Sequence, residues 1–518
     1  MKTKYNAVFL QIFFFLSFTN VYSQWERLTN IGEIQSYDQI QNDNSALLLS
    51  STSLDSFISV TMSTYHIPGL SACILKEGDL VWNKAYGYAD FASKIPMTDS
   101  TLFWIASISK TITGTALMQL FERGLFNLDD NVNDYLPPDL QVVNPSYPNI
   151  PITFKMILSH VSSINDNYTI CEPLFVAGDS PLSLYDFLKG YLVPGSVYYT
   201  NTSYGAYPPA STYNYCNVGA ALLGYLVEAI TDTAFDEYCR KHIFEPLSMN
   251  ETSWFLTDLD TSHIARPHEW TSSGYEPLPH WGQPYYPCSQ LRTSSLQLAR
   301  FLNMFMQKGT LENTKILDSS TVALMTTIHY PQIPVGGGYP DSSQGLIWYQ
   351  ETFGNRLVWG HSGGPYGVTT AMYYYMPEKS GVIVLVNSSS NQAPYTWNGV
   401  KKIISALFDY AVTIPTGIIA SDEIFLGGFT LRQNYPNPFN LSTTIEYDLP
   451  KAGHVRLVIY DLLGRQIRML IDTKQPAGNF QTSWNGTNEF SLPVATGVYL
   501  CRMETGEFVK VTKLLLVK

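Results

Sequence analysis

Ile105-Ala106-Ser107-Ile108-Ser109-Lys110-Thr111 is the stretch around which this 518-residue chain is best read, because it sets a hydroxyl and an amine three residues apart. On a helix that spacing places Ser107 and Lys110 on one face. A serine hydroxyl is a poor nucleophile at neutral pH until a neighbouring base takes its proton. A lysine held in a desolvated pocket beside other cations can lose its own proton and serve as that base. Ser-x-x-Lys arises by chance on the order of once in a chain of this size, so the flanking sequence has to decide the fold.

Toward the N-terminus, the apolar residues from Leu54 to Tyr65 follow a helical period that Ile67-Pro68-Gly69 stops. Two alternating stretches follow, Leu70 to Leu75 and Leu80 to Tyr88, and Lys76-Glu77-Gly78-Asp79 between them predicts a hairpin. From Ser107 to about Met306 helical patterns dominate: Ile112 to Arg123 closed by Gly124, Phe154 to Leu158, Ala220 to Ile230 and Leu296 to Met306. Strand signals return at Leu357 to Gly360, Val368 to Met376 and Val382 to Val386, and Val400 to Tyr410 reads as a closing helix. Strands at both ends with helices between them imply one sheet assembled from distant pieces, with a helical subdomain inserted. The Ser107 turn falls at the boundary of the two parts.

The chain begins with Lys2 and Lys4, an apolar stretch from Ala7 to Phe18 and small-residue spacing before Gln24, so residues 1–23 read as an export signal. Residues 24–412 form the body. Pro415, Gly417, Gly427 and Gly428 mark a linker over 413–428, and 429–518 carry short strands punctuated by turns, the spacing of a small β-sandwich. No later segment offers about 18 uninterrupted apolar residues, so no transmembrane segment is expected in the mature chain. A formal net charge of -12 with 31 Lys and Arg argues against a nucleic-acid partner and toward a small-molecule or peptide substrate. The six cysteines are scattered, without the dense spacing of a disulfide scaffold, and are expected mostly as buried thiols.

Two further groups carry chemistry. Tyr215-Cys216-Asn217 precedes a helix expected to begin near Gly219. A phenol there can relay protons if a nearby ammonium depresses its pKa, and the amide can orient substrate and lysine. His361-Ser362-Gly363-Gly364 ends a predicted strand, where glycines let a substrate approach the backbone and a strand amide can donate to an oxyanion.

Taken in order, these motifs resemble the serine β-lactamase and penicillin-binding-protein superfamily, and within it the class C β-lactamase-like group of peptidases, esterases and amide hydrolases. The resemblance runs from about Leu54 to Ala411 and includes Ile67-Pro68-Gly69, Gly124-Leu125, Leu128-Asp129-Asp130 and Ile152 to Ser162. It implies an α/β (α+β) fold, an antiparallel sheet flanked by helices with an inserted helical subdomain. It also implies that Ser107 forms an acyl-enzyme, with Lys110 and Tyr215 moving its proton. Asn217, His361, Ser362 and Gly363 would contact substrate, and the backbone N–H groups of Ser107 and Gly364 would form the oxyanion hole, with no metal or other cofactor.

Two positions depart from the family pattern. His361 stands where the commoner motif has the lysine of Lys-Thr-Gly, which weakens carboxylate recognition and favours esterase or peptidase members. Leu158-Ser159-His160-Val161-Ser162-Ser163 carries Ser163 where a glycine is usual, a change expected to touch a loop and not the chemistry. His160 is read as structural, and Trp281, Tyr285 and Tyr286 as either a cleft lining or aromatic packing.

The C-terminal residues Asn434-Tyr435-Pro436-Asn437-Pro438-Phe439-Asn440, Ile459-Tyr460-Asp461, Gly464-Arg465, Trp484-Asn485-Gly486 and Gly497-Val498-Tyr499 resemble the type IX secretion sorting domain, type A. That resemblance implies a small Ig-like β-sandwich recognised by the type IX machinery, and passage through the periplasm to the surface or surroundings of a Gram-negative bacterium. The reading is therefore a secreted serine hydrolase acting on a small ester, amide or D-amino-acid peptide. The alternatives are a true β-lactamase or DD-peptidase and, from another class, an inactive surface binding protein with a lactamase-like body.

Overall fold

The computed structural model describes residues 51–335, 343–364, 366–390, 392–414, 429–449, 453–475, 478–490, 492–506 and 508–517. The expected export signal and all but the first two residues of the expected linker lie outside them. The chain divides into two units, Met1–Ile414 and Pro415–Lys518.

The first unit is organised by a seven-stranded sheet. Its strands are β1 (Gly69–Lys76), β2 (Asp79–Asp90), β3 (Ile95–Pro96), β4 (Tyr349–Phe353), β5 (Arg356–Gly363), β6 (Thr369–Tyr375) and β7 (Ser380–Val386). They lie in the order β4-β5-β6-β7-β1-β2-β3, and every pairing is antiparallel. The central register, Leu70 opposite Val386 through Lys76 opposite Ser380, joins the two ends of the unit. Alternation along β1 explains the layers. Leu70, Ala72 and Ile74 face a core shared with α1 (Ser51–Thr64) and α5 (Thr396–Thr413), where Leu54, Ile58, Val400, Ile404 and Leu407 meet Val382, Val384 and Val386. Ser71 and Cys73 point the other way, toward α4 (Ser295–Met306), with the Ser71 and Ser295 hydroxyls 2.7 Å apart.

Between β3 and β4 the chain builds the helical part, including α2 (Ser109–Glu122) and α3 (Asn217–Thr231), which pack on each other. α2 is buried along nearly its whole length, Lys110 included. Two expectations are refined here. Ser107 is not on the α-helix but in a 3₁₀ turn, Ala106–Ile108, that leads into it. α3 starts two residues before Gly219, because the Cys216 sulfur and the Asp166 carboxylate satisfy its first N–H groups.

All six cysteines are buried and unpaired. No single helix among the described residues is long and apolar enough to cross a membrane. The second unit consists of a three-stranded and a four-stranded antiparallel sheet around Leu431, Ile445, Tyr447, Leu457, Trp484, Met503 and Leu514, a β-sandwich.

Candidate active site

The turn that holds Ser107 is fixed from both sides. Phe103–Trp104 pairs with Arg292–Thr293, and the Ile105 N–H donates to the Leu291 carbonyl at 3.0 Å. Ser109 Oγ bridges the Ala106 carbonyl (2.6 Å) and the Leu291 N–H (3.1 Å). Ala106 adopts φ +47°, a left-handed conformation that side-chain-bearing residues avoid. Strain of this kind persists only where surrounding contacts over-determine it, and it sits beside the hydroxyl on which the chemistry would depend.

The same segment meets the end of β5. A Cβ on Gly363 would lie 2.6 Å from the Ile105 carbonyl oxygen, 2.9 Å from the Ala106 methyl and 2.5 Å from Thr370 Oγ1. Thr370 Oγ1 in turn donates to the Ile105 carbonyl at 2.8 Å. Only glycine lets the strand end and the serine turn come this close, and Gly364 follows directly.

Lys110 is fully buried. Its Nζ lies 3.0 Å from Ser107 Oγ, 2.7 Å from Asn217 Oδ1 and 2.8 Å from the Cys288 carbonyl oxygen. Burial drives the amine below its ordinary value, opposed by the nearby Cys288, Asp166 and Cys216. A neutral amine has two N–H bonds and one lone pair. The two carbonyl-type oxygens can only accept, so in the neutral form they would take both N–H bonds and leave the lone pair for the Ser107 hydroxyl.

The Tyr215 ring lies 4.7 Å from Lys110 Nζ. Its phenol is pushed well above the ordinary tyrosine value by burial, which outweighs the opposing hydrogen bond from Ser107. The expected depression of this pKa by a neighbouring ammonium is therefore not what the site contains. Desolvation favours the neutral form of both groups.

His361 is buried, with its ring centroid 6.2 Å from that of Tyr215, and burial together with Lys110 pushes it down to about 3. Ser362 lies one residue on, its Oγ 2.7 Å from the Tyr349 hydroxyl. The structure thus gathers Ser107, Lys110, Tyr215 and Asn217 around one amine, and brings His361 and Gly363 up to that group from the sheet.

Three residues at the site were not assigned to it from sequence. Asp166 accepts from Asn217 N (2.8 Å), Asn217 Nδ2 (2.9 Å), Val218 N (2.9 Å) and Cys216 Sγ (3.3 Å), so one carboxylate both starts α3 and aims Asn217 Oδ1 at Lys110. His160, read as structural, packs at a tilt against Tyr215 with centroids 4.6 Å apart, and its Nδ1 accepts the Cys216 N–H at 3.2 Å. Tyr349 stands behind Ser362. Tyr285 and Tyr286 are buried, Tyr286 among Phe235, Trp254 and Phe255, which is packing. Half-exposed Trp281 packs with Tyr366 against the cluster of Trp104, Ala106 and Val368. Ser163 takes φ +63°, the conformation a glycine would adopt without strain, and its carbonyl accepts the Gly205 N–H at 2.7 Å.

Residues 54–401 match the Beta-lactamase family and residues 433–518 the secretion system C-terminal sorting domain. Protein flp of Staphylococcus aureus is 24% identical over 348 residues, which cover 66% of this chain and 64% of that protein. The chain thus spans just under two thirds of the length of the curated relatives it matches. Among solved structures, the octameric penicillin-binding protein homologue from Pyrococcus abyssi superimposes with a TM-score of 0.58 at 22% identity, over 89% of this chain and 100% of that one. D-amino acid amidase from Ochrobactrum anthropi gives 0.57 at 20%, over 70% and 99%. A class C β-lactamase from Rhodobacter sphaeroides gives 0.52 at 17%, over 70% and 100%. At such identities the likeness is one of fold. The body of this chain belongs to the β-lactamase family, the serine hydrolase fold of β-lactamases and penicillin-binding proteins, and it carries a type IX secretion sorting domain that marks it for export to the cell surface or beyond.

Proposed function

We propose that the protein is a secreted serine hydrolase that cleaves a small ester, amide or D-amino-acid peptide through an acyl-enzyme on Ser107. One observation carries this reading: the buried Lys110 Nζ lies 3.0 Å from Ser107 Oγ while Asn217 Oδ1 and the Cys288 carbonyl oxygen stand ready to take two N–H bonds, so that the amine, once neutral, has its lone pair left for the serine proton. That is the geometry a general base needs before attack.

In this account the Ser107 proton passes to Lys110 as Oγ bonds to the substrate carbonyl carbon. The carbonyl oxygen takes the negative charge beside the Ser107 and Gly364 N–H groups. Collapse of the tetrahedral intermediate breaks the bond to the leaving group, which receives the proton from Lys110 by way of the Tyr215 hydroxyl. Water then gives a proton along the same path to Lys110 as its oxygen bonds to the acyl carbon, and Lys110 returns that proton to Ser107 Oγ as the acyl bond breaks and the acid leaves. Tyr215 works as a neutral hydroxyl that hands protons on, as its high pKa requires. Asn217 holds both lysine and substrate, and His361, Ser362 and Gly363 line the substrate along β5. No metal or cofactor enters the scheme. The sorting domain engages the type IX machinery after export through the periplasm of a Gram-negative bacterium.

A neutral His361 supports esters and amides over substrates held by a carboxylate. The test compares a short-chain aryl ester, a D-Ala-D-Ala peptide and a chromogenic cephalosporin, with Ser107→Ala as the control. Turnover of the ester or peptide that vanishes in Ser107→Ala supports the reading. A dominant cephalosporin rate makes the protein a β-lactamase, and no Ser107-dependent turnover of any of the three makes it a binding protein.

A further inference from the structure

Behind Ser362 runs an unbroken line of hydroxyl groups that ends in a buried acid. Tyr349 OH lies 2.7 Å from Ser362 Oγ and accepts the Ser362 N–H at 3.0 Å. It lies 2.8 Å from Tyr373 OH, which lies 2.5 Å from Glu351 Oε2, and Lys401 Nζ stands 3.8 Å from the other oxygen of Glu351. Tyr373 is fully buried and Glu351 nearly so.

Counting protons gives the line a direction. Burial raises the Glu351 carboxyl above its ordinary value, and Lys401 and Tyr373 pull it back. Its Oε2 accepts from the Tyr373 hydroxyl at 2.5 Å, and Lys401 Nζ stands against its other oxygen. Tyr373, held protonated by burial and by Glu351, donates to it. The Tyr349–Tyr373 contact then requires the Tyr349 proton, and the Tyr349–Ser362 contact requires the Ser362 proton. Ser362 therefore turns its O–H inward and keeps only lone pairs for anything bound in front of it.

His361 arrives at the same polarity by another route. Its Nδ1 lies 2.7 Å from the Ser362 carbonyl oxygen, an obligatory acceptor, so Nδ1 carries the ring proton and Nε2 is a bare lone pair. That Nε2 is buried and has no partner among the described residues. A buried acceptor without a donor costs about 1–3 kcal/mol, which a donor on a bound molecule recovers.

We propose that the edge formed by His361 and Ser362 offers substrates acceptors alone, and so selects a group bearing N–H or O–H donors, a primary amide or a hydroxyl, over a carboxylate. Glu351, Tyr373 and Tyr349 are positioning residues that set this polarity through Ser362. The inference rests on the reading above for its assignment of His361 and Ser362 to substrate contact. It adds the substrate class and three residues that act on it.

The test uses the full chain at pH 8 and a matched pair, a D-Ala-D-Ala peptide with its C-terminus amidated and the same peptide with a free carboxylate. The pair is read as kcat/KM where cleaved, and otherwise as competitive Ki against aryl ester hydrolysis. The expected result is a preference of about tenfold or more for the amide, about 1.4 kcal/mol. In Tyr373→Phe the Tyr349 proton has lost its acceptor and turns to Ser362 Oγ. This frees the Ser362 proton to face the substrate, so the preference narrows to about threefold or less. Tyr349→Phe, at the half-buried end of the line, should narrow it in the same way and carries the test if the buried variant fails to fold. A wild-type preference for the carboxylate, or an unchanged ratio in the folded variants, overturns the proposal while leaving Ser107-dependent ester hydrolysis intact. Absence of any Ser107-dependent turnover overturns both.

Discussion

Replacing Asp166 by alanine should weaken the fold and the chemistry together, since the same carboxylate caps α3 and orients Asn217. Its Oδ2 accepts the backbone and side-chain N–H groups of Asn217, and its Oδ1 accepts from Val218 N and Cys216 Sγ. Loss of an N-terminal cap costs about 0.5–2 kcal/mol, and hydrogen bonds to a charged group contribute about 1.5–3 kcal/mol. Because these overlap, the expected loss is about 2–4 kcal/mol. At about 2–4 °C per kcal/mol for a domain of some 200 residues, and less for a larger one, thermal melting should fall by roughly 4–10 °C. Freed from Asp166, the Asn217 side chain no longer holds Oδ1 at 2.7 Å from Lys110 Nζ. A displacement of about 1 Å at such a point can cost on the order of a hundredfold in rate. Asp166→Asn keeps one acceptor oxygen and sets an NH₂ group against two donors, so it should fall between. The assays are a melt by circular dichroism and Ser107-dependent aryl ester hydrolysis at a temperature where every variant is folded. The double variant Asp166→Ala/Asn217→Ala should lose little more activity than Asn217→Ala alone, because the two residues act as one unit. Full additivity, or Asp166→Ala within twofold of wild type in kcat and within 1 °C in melting, would refute the reasoning.

Gly363→Ala places a methyl group within 3 Å of the Ile105 carbonyl, the Ala106 methyl and Thr370 Oγ1. It should push the Ser107 turn from the strand and lower kcat/KM by about tenfold or more; rates equal to wild type would show that the close approach has no role. Lys110→Met should abolish turnover yet raise stability at neutral pH, because it removes a buried amine. The unfolded chain keeps that proton up to about pH 10.5 while the native state gives it up earlier, so wild-type stability should rise with pH up to that value and the variant should lack this slope. Urea melts at pH 6.5 and 8.5 read both effects, and a variant less stable than wild type at each pH would contradict them. The acid limb of kcat/KM should follow the protonation of Lys110, which needs its lone pair. His361, at about 3, stays neutral above pH 5 and should add no second limb there; a limb abolished by His361→Gln would overturn that assignment.

Much of the architecture was legible because the apolar period changes where the structure changes. The β1–β2 hairpin, the helix Phe154–Leu158 and strand β7 lie within a residue or two of where their patterns put them. Strand β4 was missed, since the buried Glu351 breaks the apolar reading of Tyr349-Gln350-Glu351-Thr352-Phe353 and its reason for being buried, Lys401 and Tyr373, lies elsewhere in the chain. In the sorting domain, Gln466–Gln475 escaped notice because Arg468, Asp472 and Lys474 interrupt its alternation on a largely exposed strand. At the site, Ser107 and Lys110 could be named from local spacing and Tyr215 and Asn217 from family order. Asp166 could not, because a lone loop aspartate becomes informative only once it meets a helix start 51 positions away. The pKa order of Lys110 and Tyr215 was likewise out of reach, being set by burial, which the motif does not encode.

The central claim is that Ser107 becomes acylated because Lys110 takes its proton. Intact-protein mass spectrometry after rapid quenching with an aryl ester or a serine-directed fluorophosphonate tests it most directly. The account predicts a single adduct of the acyl or phosphonyl mass that maps to the peptide containing Ser107, absent in Ser107→Ala and strongly slowed in Lys110→Met. An adduct that persists in Ser107→Ala, or that forms as fast without the Lys110 amine, would contradict it.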